Sequence, residues 1–261
     1  MELTDAVFLT SAAYADPRRF AARQGLYRWQ SPHHDLPALV IEAISDLTGL
    51  VVDVGCGNGT YVHRLRSARP DLDVLGVDLS LGMLKSIAPP VVVADGRRLP
   101  LPHASADATL ALHMLYHLPD IGAGIAELKR ILRPGGKAVI ATNSATDKSE
   151  LQALWQQAHQ DADVPLTSRS LSFSARFTLE DAQETLPRYF SHTELLRLDS
   201  TITVPSSRPV MEYFHSYLPL PGHDERTTRR VIAALTDRVR AEVARAGSFR
   251  ITCRGGLFVC S

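Results

Sequence analysis

Between Leu50 and Thr142 the chain alternates short β-branched runs with helical stretches, and this restricts it to repeated βαβ units around a parallel sheet. The first strand is expected at residues 50–54, followed by a glycine turn and a helix over 60–69 that Pro70 stops. Tyr61, Val62 and Leu65 fall on one face of that helix. Further strands are predicted at 74–77, 91–94, 107–112 and 137–142. Ser80 reads as the N-cap of a short helix reaching Ile87, and Pro119-Asp120 opens a helix that Pro134-Gly135-Gly136 closes. Helices are also expected over 36–47, 150–160, 178–186 with Thr178 and Asp181 as a weak capping box, and 227–246. The late strands are placed within 194–204 and at 249–253 and 257–260, the last two joined as a hairpin through Gly255-Gly256.

Ligands of an open parallel sheet sit beyond the carboxyl ends of its strands, so the residues just after each strand carry the information. The first strand runs into Asp53-Val54-Gly55-Cys56-Gly57-Asn58-Gly59, where close-set glycines let the backbone approach a ligand. A dinucleotide fingerprint would need a further glycine where Thr60 stands, which argues against a nicotinamide dehydrogenase. The second strand ends at Asp78, a carboxylate suited to the vicinal hydroxyls of a ribose.

This ordered set resembles the class I S-adenosylmethionine-dependent methyltransferases, over residues 45–145. The resemblance runs through residues 51–59, Gly76-Val77-Asp78-Leu79-Ser80, Ala94-Asp95-Gly96 with Leu99-Pro100-Leu101-Pro102, Ala106-Asp107, and Leu132-Arg133-Pro134-Gly135-Gly136. It is nearest the branch containing ubiquinone-biosynthesis enzymes and small-molecule methyltransferases of bacterial secondary metabolism. It implies an α/β fold: a Rossmann-like, seven-stranded, mostly parallel sheet with an antiparallel last strand and helices on both faces, plus an N-terminal helical cap and a helical lid insertion. The implied activity is methyl transfer from S-adenosyl-L-methionine to a small molecule, with a non-catalytic cofactor-binding protein as the alternative. The implied cofactor contacts are Tyr27, Gln30, Asp53, Gly55, Cys56, Gly57, Asn58, Asp78, Leu79, Met83, Asp95, Gly96 and His113. Among them the glycine loop would pass the methionine portion, Asp78 hold the ribose, and Asp95 bond the adenine amino group. Asp53 would orient the loop or meet the amino group through water.

Composition narrows the partners. Lys plus Arg (28) balances Asp plus Glu (28), so no overall positive field draws nucleic acid or an anionic membrane, and neither is an expected partner. The acidic start lacks a secretory signal's positive charge, and no run reaches the ~18–20 apolar residues of a membrane span, so a cytoplasmic setting is expected. Cys56, Cys253 and Cys260 match neither a disulfide framework nor a zinc site, and no metal is expected.

His113 and His117 fall at and just past the end of the fourth strand, where the resemblance brings the methyl acceptor to the sulfonium. Either is a candidate general base, since imidazole titrates near neutrality; the alternative is cavity lining for His113 and a backbone bond for His117. Their i, i+4 spacing also mimics a zinc helix, but Met114 stands where its Glu would be. Tyr14, Arg23, Tyr27, Trp29 and Gln30 precede the first strand, with aromatic faces suited to a sulfonium and Arg23 to a carboxylate; ordinary packing of these aromatics is the alternative. The His33-His34 pair reads as a solvated loop. We therefore expect a cap over residues 1–48, a core over 49–148 and 190–261, and an acceptor lid over 149–226, whose polar members are Arg169, Arg176, Glu212 and His215.

Overall fold

The computed structural model describes residues 23–166, 173–218 and 224–261. Its larger sheet contains β2 (Gly49–Val54), β3 (Leu72–Asp78), β4 (Val91–Val93), β5 (Ala106–Leu112), β6 (Leu132–Asn143), β7 (Thr193–Arg197) and β10 (Gly255–Cys260). The order is β4-β3-β2-β5-β6-β10-β7. The pairs from β4 to β6 are parallel, while β10 runs antiparallel to both β6 and β7. The expected seven-stranded, mostly parallel sheet with an antiparallel last strand is therefore present.

Both faces of this sheet are covered, and so its strands read as nearly continuous apolar runs. The pleat splits them residue by residue. Val51, Val74, Leu110 and Val139 join Val40 and Ile44 of α1 (Leu36–Ala43) and Val62 and Leu65 of α2 (Thr60–Ala68). Val52, Val77, Ala111 and Ile140 point the other way, toward Ile125, Leu128 and Ile131 of α4 (Ile121–Ile131) and Leu179 and Ala182 of α6 (Leu179–Thr185). Caps written into the sequence fix the helix starts. The Asp120 side chain accepts from Ala123 N at 2.9 Å, and Ser80 Oγ accepts from Met83 N in the single turn α3 (Leu81–Leu84). Thr178 and Asp181 form the full reciprocal capping box of α6.

A smaller sheet, ordered β1-β8-β9, holds β1 (Gln30–Ser31), β8 (Ser200–Val204) and β9 (Phe249–Cys253). α5 (Ser149–Asp161), α7 (Ser207–His215) and α8 (Glu225–Ala246) share its core, in which Trp155, Phe214, Ile202, Val231, Leu235 and Ile251 are buried. Here the structure corrects two sequence expectations. β9 and β10 do not form a hairpin: β9 pairs with β8 in the small sheet, whereas β10 lies between β6 and β7. Gly256 is not a turn residue either, because a Cβ on it would sit 2.6 Å from Leu195 Cδ1 and 2.7 Å from Leu179 Cδ1, and the absent side chain is what lets those residues close over the strand. Pro134-Gly135-Gly136 does follow the end of α4 at Ile131, within the span of β6 and at the register shift between the Ala106 and Ala108 pairings. Gly136 is required there since its Cβ would meet Asp107 O at 2.7 Å.

The small sheet is not detached from the large one. The antiparallel pair β7 and β10 continues across a bend into the pair β8 and β9, with Leu198 N donating to Gly255 O at 2.9 Å in the bend. Among the described residues, no helix is long and apolar enough to cross a membrane.

Candidate active site

A cavity of about 1160 Å³ opens at the carboxyl ends of β2 to β6 and is walled on its far side by residues of the small sheet and its helices. Its floor is the loop after β2. Gly55 N and Cys56 N donate to Val77 O at 2.7 and 3.0 Å, which folds the loop back over β3. Gly55 has φ +69°, and a Cβ there would stand 2.7 Å from Met114 Cβ. Asp78 fastens the loop: Oδ2 accepts from Gly57 N and Oδ1 from Ser80 N, each at 2.8 Å. Each oxygen keeps a second lone pair for a ligand hydroxyl.

Beneath the loop lies Asp53, only 1% exposed, and its Oδ2 has no hydrogen-bond partner among the described residues. Burial, then the neighbouring charge of Asp78, pushes its carboxyl up to about 8. Buried polar groups otherwise find partners, and this oxygen has none among the described residues. Asp95 also faces the cavity, but Arg97 already holds it through a forked pair with a shortest contact of 2.6 Å, which keeps its carboxyl below the usual range.

His113 follows β5 at φ +57°, with its backbone N bonded to Ala141 O at 2.9 Å and its ring in the cavity wall. Burial, then the charge of Lys148, lowers it to about 4. His117 closes the turn Leu115–His117 and stacks edge-on with Tyr116 at 4.6 Å; burial, then Arg23 and Arg176, lowers it to about 3. Both rings are thus neutral at physiological pH, so the near-neutral titration expected of them as bases moves far into the acid range.

The structure brings the other sequence candidates together unevenly. Tyr27, Gln30, Gly55, Cys56, Gly57, Asn58, Asp78, Leu79, Met83, Asp95, Gly96, His113 and His117 all line the cavity, as does Arg23, while Asp53 lies below its floor. Gln30 spends its amide on Ser200 Oγ at 2.7 Å. His33 and His34 are at the rim, where His34 bonds Asp199 O. Trp29 packs on the small-sheet core, with the Arg28 guanidinium 5.0 Å from its ring centre. Arg176 is committed to the carbonyls of Tyr116 and Leu118, and exposed Glu212 to Arg208 at 2.8 Å; neither lines the cavity, nor does His215. Tyr14 and Arg169 lie outside the described residues.

Sequence reasoning missed Asp147 and Lys148, both of which line the cavity just past β6. The available signal was position alone, the same strand-end rule that singles out Asp78.

Residues 52–140 match the family described as Methyltransferase domain. These are the residues of β2 to β6 that build the floor just described. That segment of the chain is similar to a methyltransferase domain. Around it, a malonyl-[acyl-carrier protein] O-methyltransferase of Hahella chejuensis is 35% identical over 112 residues, 40% of each chain. A 27-O-demethylrifamycin SV methyltransferase of Amycolatopsis mediterranei is 35% identical over 101 residues, 34% of this chain and 37% of its own. The protein spans between 40% and 49% of the length of the first curated relatives it matches. Among solved structures, a type II methyltransferase of Anaeromyxobacter dehalogenans shares the fold with a TM-score of 0.60 at 23% identity, covering 86% of this chain and 95% of its own. The matched segment ends within β6, so the small sheet and its helices lie outside it.

Proposed function

We propose that the protein transfers a methyl group from S-adenosylmethionine to a small-molecule acceptor. The observation that carries this reading is the unpartnered carboxylate of Asp53 beneath a glycine loop fastened by Asp78, a floor fitted to a ligand with an ammonium group and a ribose. When bound, S-adenosylmethionine supplies an electrophilic methyl group on a sulfonium. In this reading Asp53 orients the loop or meets the cofactor's ammonium through water, Asp78 its ribose hydroxyls, and Leu79, Met83 and Gly96 its adenine. Asp95 reaches the adenine edge only with the oxygen capacity that Arg97 leaves.

The protein's task is then to align donor and acceptor and to keep water out. Of the segment 149–226, α5 and α7 with the small sheet are assigned as the acceptor lid, while α6 and β7 belong to the large-sheet core; residues 1–48 are assigned as a cap. His113 and His117 line the acceptor side as neutral rings, His113 within reach of an acceptor hydrogen bond. The rifamycin relative supports a small organic acceptor. Three buried, unbridged cysteines fit a reducing, cytoplasmic setting.

Calorimetry tests the reading. S-adenosylhomocysteine is expected to bind in the micromolar range while NAD gives no heat, and tight NAD binding with no response to S-adenosylhomocysteine would reject it. Asp78→Ala is expected to weaken S-adenosylhomocysteine by about 1.5–3 kcal/mol, because the ribose contact and the clamp on Gly57 are lost together. Asp95→Ala should cost less, and an unchanged dissociation constant in folded Asp78→Ala removes the ribose assignment.

A further inference from the structure

Lys148 lines the cavity just past β6, and its backbone is held there in a strained conformation. Its backbone sits at φ +52°, a conformation costly for a residue with a Cβ. The loop is held there because Lys148 N donates to Thr252 O and Arg254 N to Asp147 Oδ1, each at 2.8 Å. The result is a cavity-lining ammonium whose side chain is only 11% exposed. Asp147 accepts one N–H at 2.6 Å, and the Tyr27 ring centre lies 5.2 Å from the nitrogen. An ammonium has three donors, and among the described residues Asp147 takes one, which leaves capacity for a ligand.

The groups around it come from every side of the cavity: Asp147 beside it, Tyr27 from the turn Gly25–Trp29, Tyr213 from α7, Cys253 from β9 and His113 after β5. Burial pulls the ammonium toward neutrality, but Lys148 is shifted upward, well above its ordinary value, and the charged neighbour that holds it there at neutral pH is Asp147. Its charge is in turn felt at His113, which stays neutral.

We propose that the acceptor is methylated on an acidic oxygen, a carboxylic acid or a phenol bound as its anion, with that oxygen on the Lys148 ammonium. This rests on the methyl-transfer reading above. Magnitudes select the class. A nearby cation lowers an acid's pKa by about 1–3 units, which keeps a carboxylic acid ionised and brings a phenol that starts near 10 to about 7–9, but is far too little for an aliphatic alcohol. The neutral histidines fit the same picture, because an acceptor already ionised needs no base. In the transfer, an oxygen lone pair forms the new C–O bond while the C–S bond breaks with its electron pair on sulfur. The anion and the sulfonium neutralise each other, and the acceptor's proton has left to solvent beforehand.

The test uses 4-nitrophenol and benzoate with the whole protein, without methyl donor. Bound 4-nitrophenol, followed by its absorbance, is expected to ionise about 1 pH unit or more below the free phenol. Lys148→Met should abolish that shift and weaken benzoate at least about tenfold, while Lys148→Arg keeps most of both. The tighter of the two probes separates a phenolic from a carboxylic acceptor. An ionisation midpoint equal to that of the free phenol, no spectral response to the protein, or a shift undiminished in Lys148→Met overturns the proposal. Melting curves and S-adenosylhomocysteine binding are measured on each variant. If Lys148→Met does not fold, the wild-type and Lys148→Arg midpoints decide. Failure of the wild type to bind S-adenosylhomocysteine would instead refute the methyl-transfer reading, with the phenol titration judged separately.

Discussion

In the ligand-free protein, Asp53→Asn raises stability at pH 8 by roughly 5 kcal/mol relative to the wild type, and by little near pH 4. The sign follows from linkage. Asp53 titrates near 3.8 when unfolded and at about 8 when folded, so between these values the folded state holds a proton that the unfolded state has released. Stability drawn from that proton is complete below about pH 4 and drains away by about 1.4 kcal/mol per pH unit as pH rises through 8. Asparagine, neutral throughout, has no such slope. His113 and His117 run the other way, since their folded values of about 4 and 3 make the protein more stable as pH rises toward the ordinary imidazole value of 6.5. The difference between wild type and Asp53→Asn cancels that background. Urea denaturation at several pH values measures it, and parallel pH curves for the two proteins would contradict the buried, unpartnered carboxylate. A bound ammonium inverts the preference, so S-adenosylhomocysteine should stabilise the wild type more than the variant, with affinity that rises toward pH 8.

Gly55→Ala is expected to destabilise the protein by roughly 2–5 kcal/mol and to abolish measurable S-adenosylhomocysteine binding. Two costs add. A left-handed backbone conformation at φ +69° disfavours any residue with a Cβ by about 1–2 kcal/mol. The new methyl would also lie 2.7 Å from Met114 Cβ and 2.9 Å from Met114 Cγ, atoms too near the backbone to swing aside, and overpacking of this kind costs about 1–3 kcal/mol. Gly135→Ala is the control. It carries φ +81° with nothing within 4 Å of its Cβ, so only the conformational cost remains. Chemical denaturation of the two variants separates strain from clash, and equal losses would show that Met114 does not close on the loop.

What could be read from the sequence was what local chemistry decides. The glycine spacing after Asp53, the capping oxygens of Ser80, Asp120 and Thr178, and the apolar runs of β2 and β5 act within a few residues of themselves, and the structure has each element they imply. Gly255 and Gly256 misled because a glycine pair signals a turn locally, while its need here comes from Leu179 and Leu195, distant in sequence. Lys148 was illegible for a similar reason. A lysine after a strand reads as solvated, and only the folded chain brings Tyr27 and Tyr213 around it. The positions of His113 and His117 were legible but their protonation was not, since burial sets it.

The bend that carries β7 and β10 into β8 and β9 has a consequence for rebuilding this cavity. Leu198 and Gly255, the last and first residues of the large-sheet side, are joined by a hydrogen bond, so the small-sheet strands leave and rejoin the large sheet at one point. Their core is nevertheless completed from outside the stretch between those two residues, by β1 and α5, and Thr252 and Arg254 hold the loop of Asp147 and Lys148. A chimera cut at this seam therefore has to bring a matching β1, α5 and 144–148 loop with it.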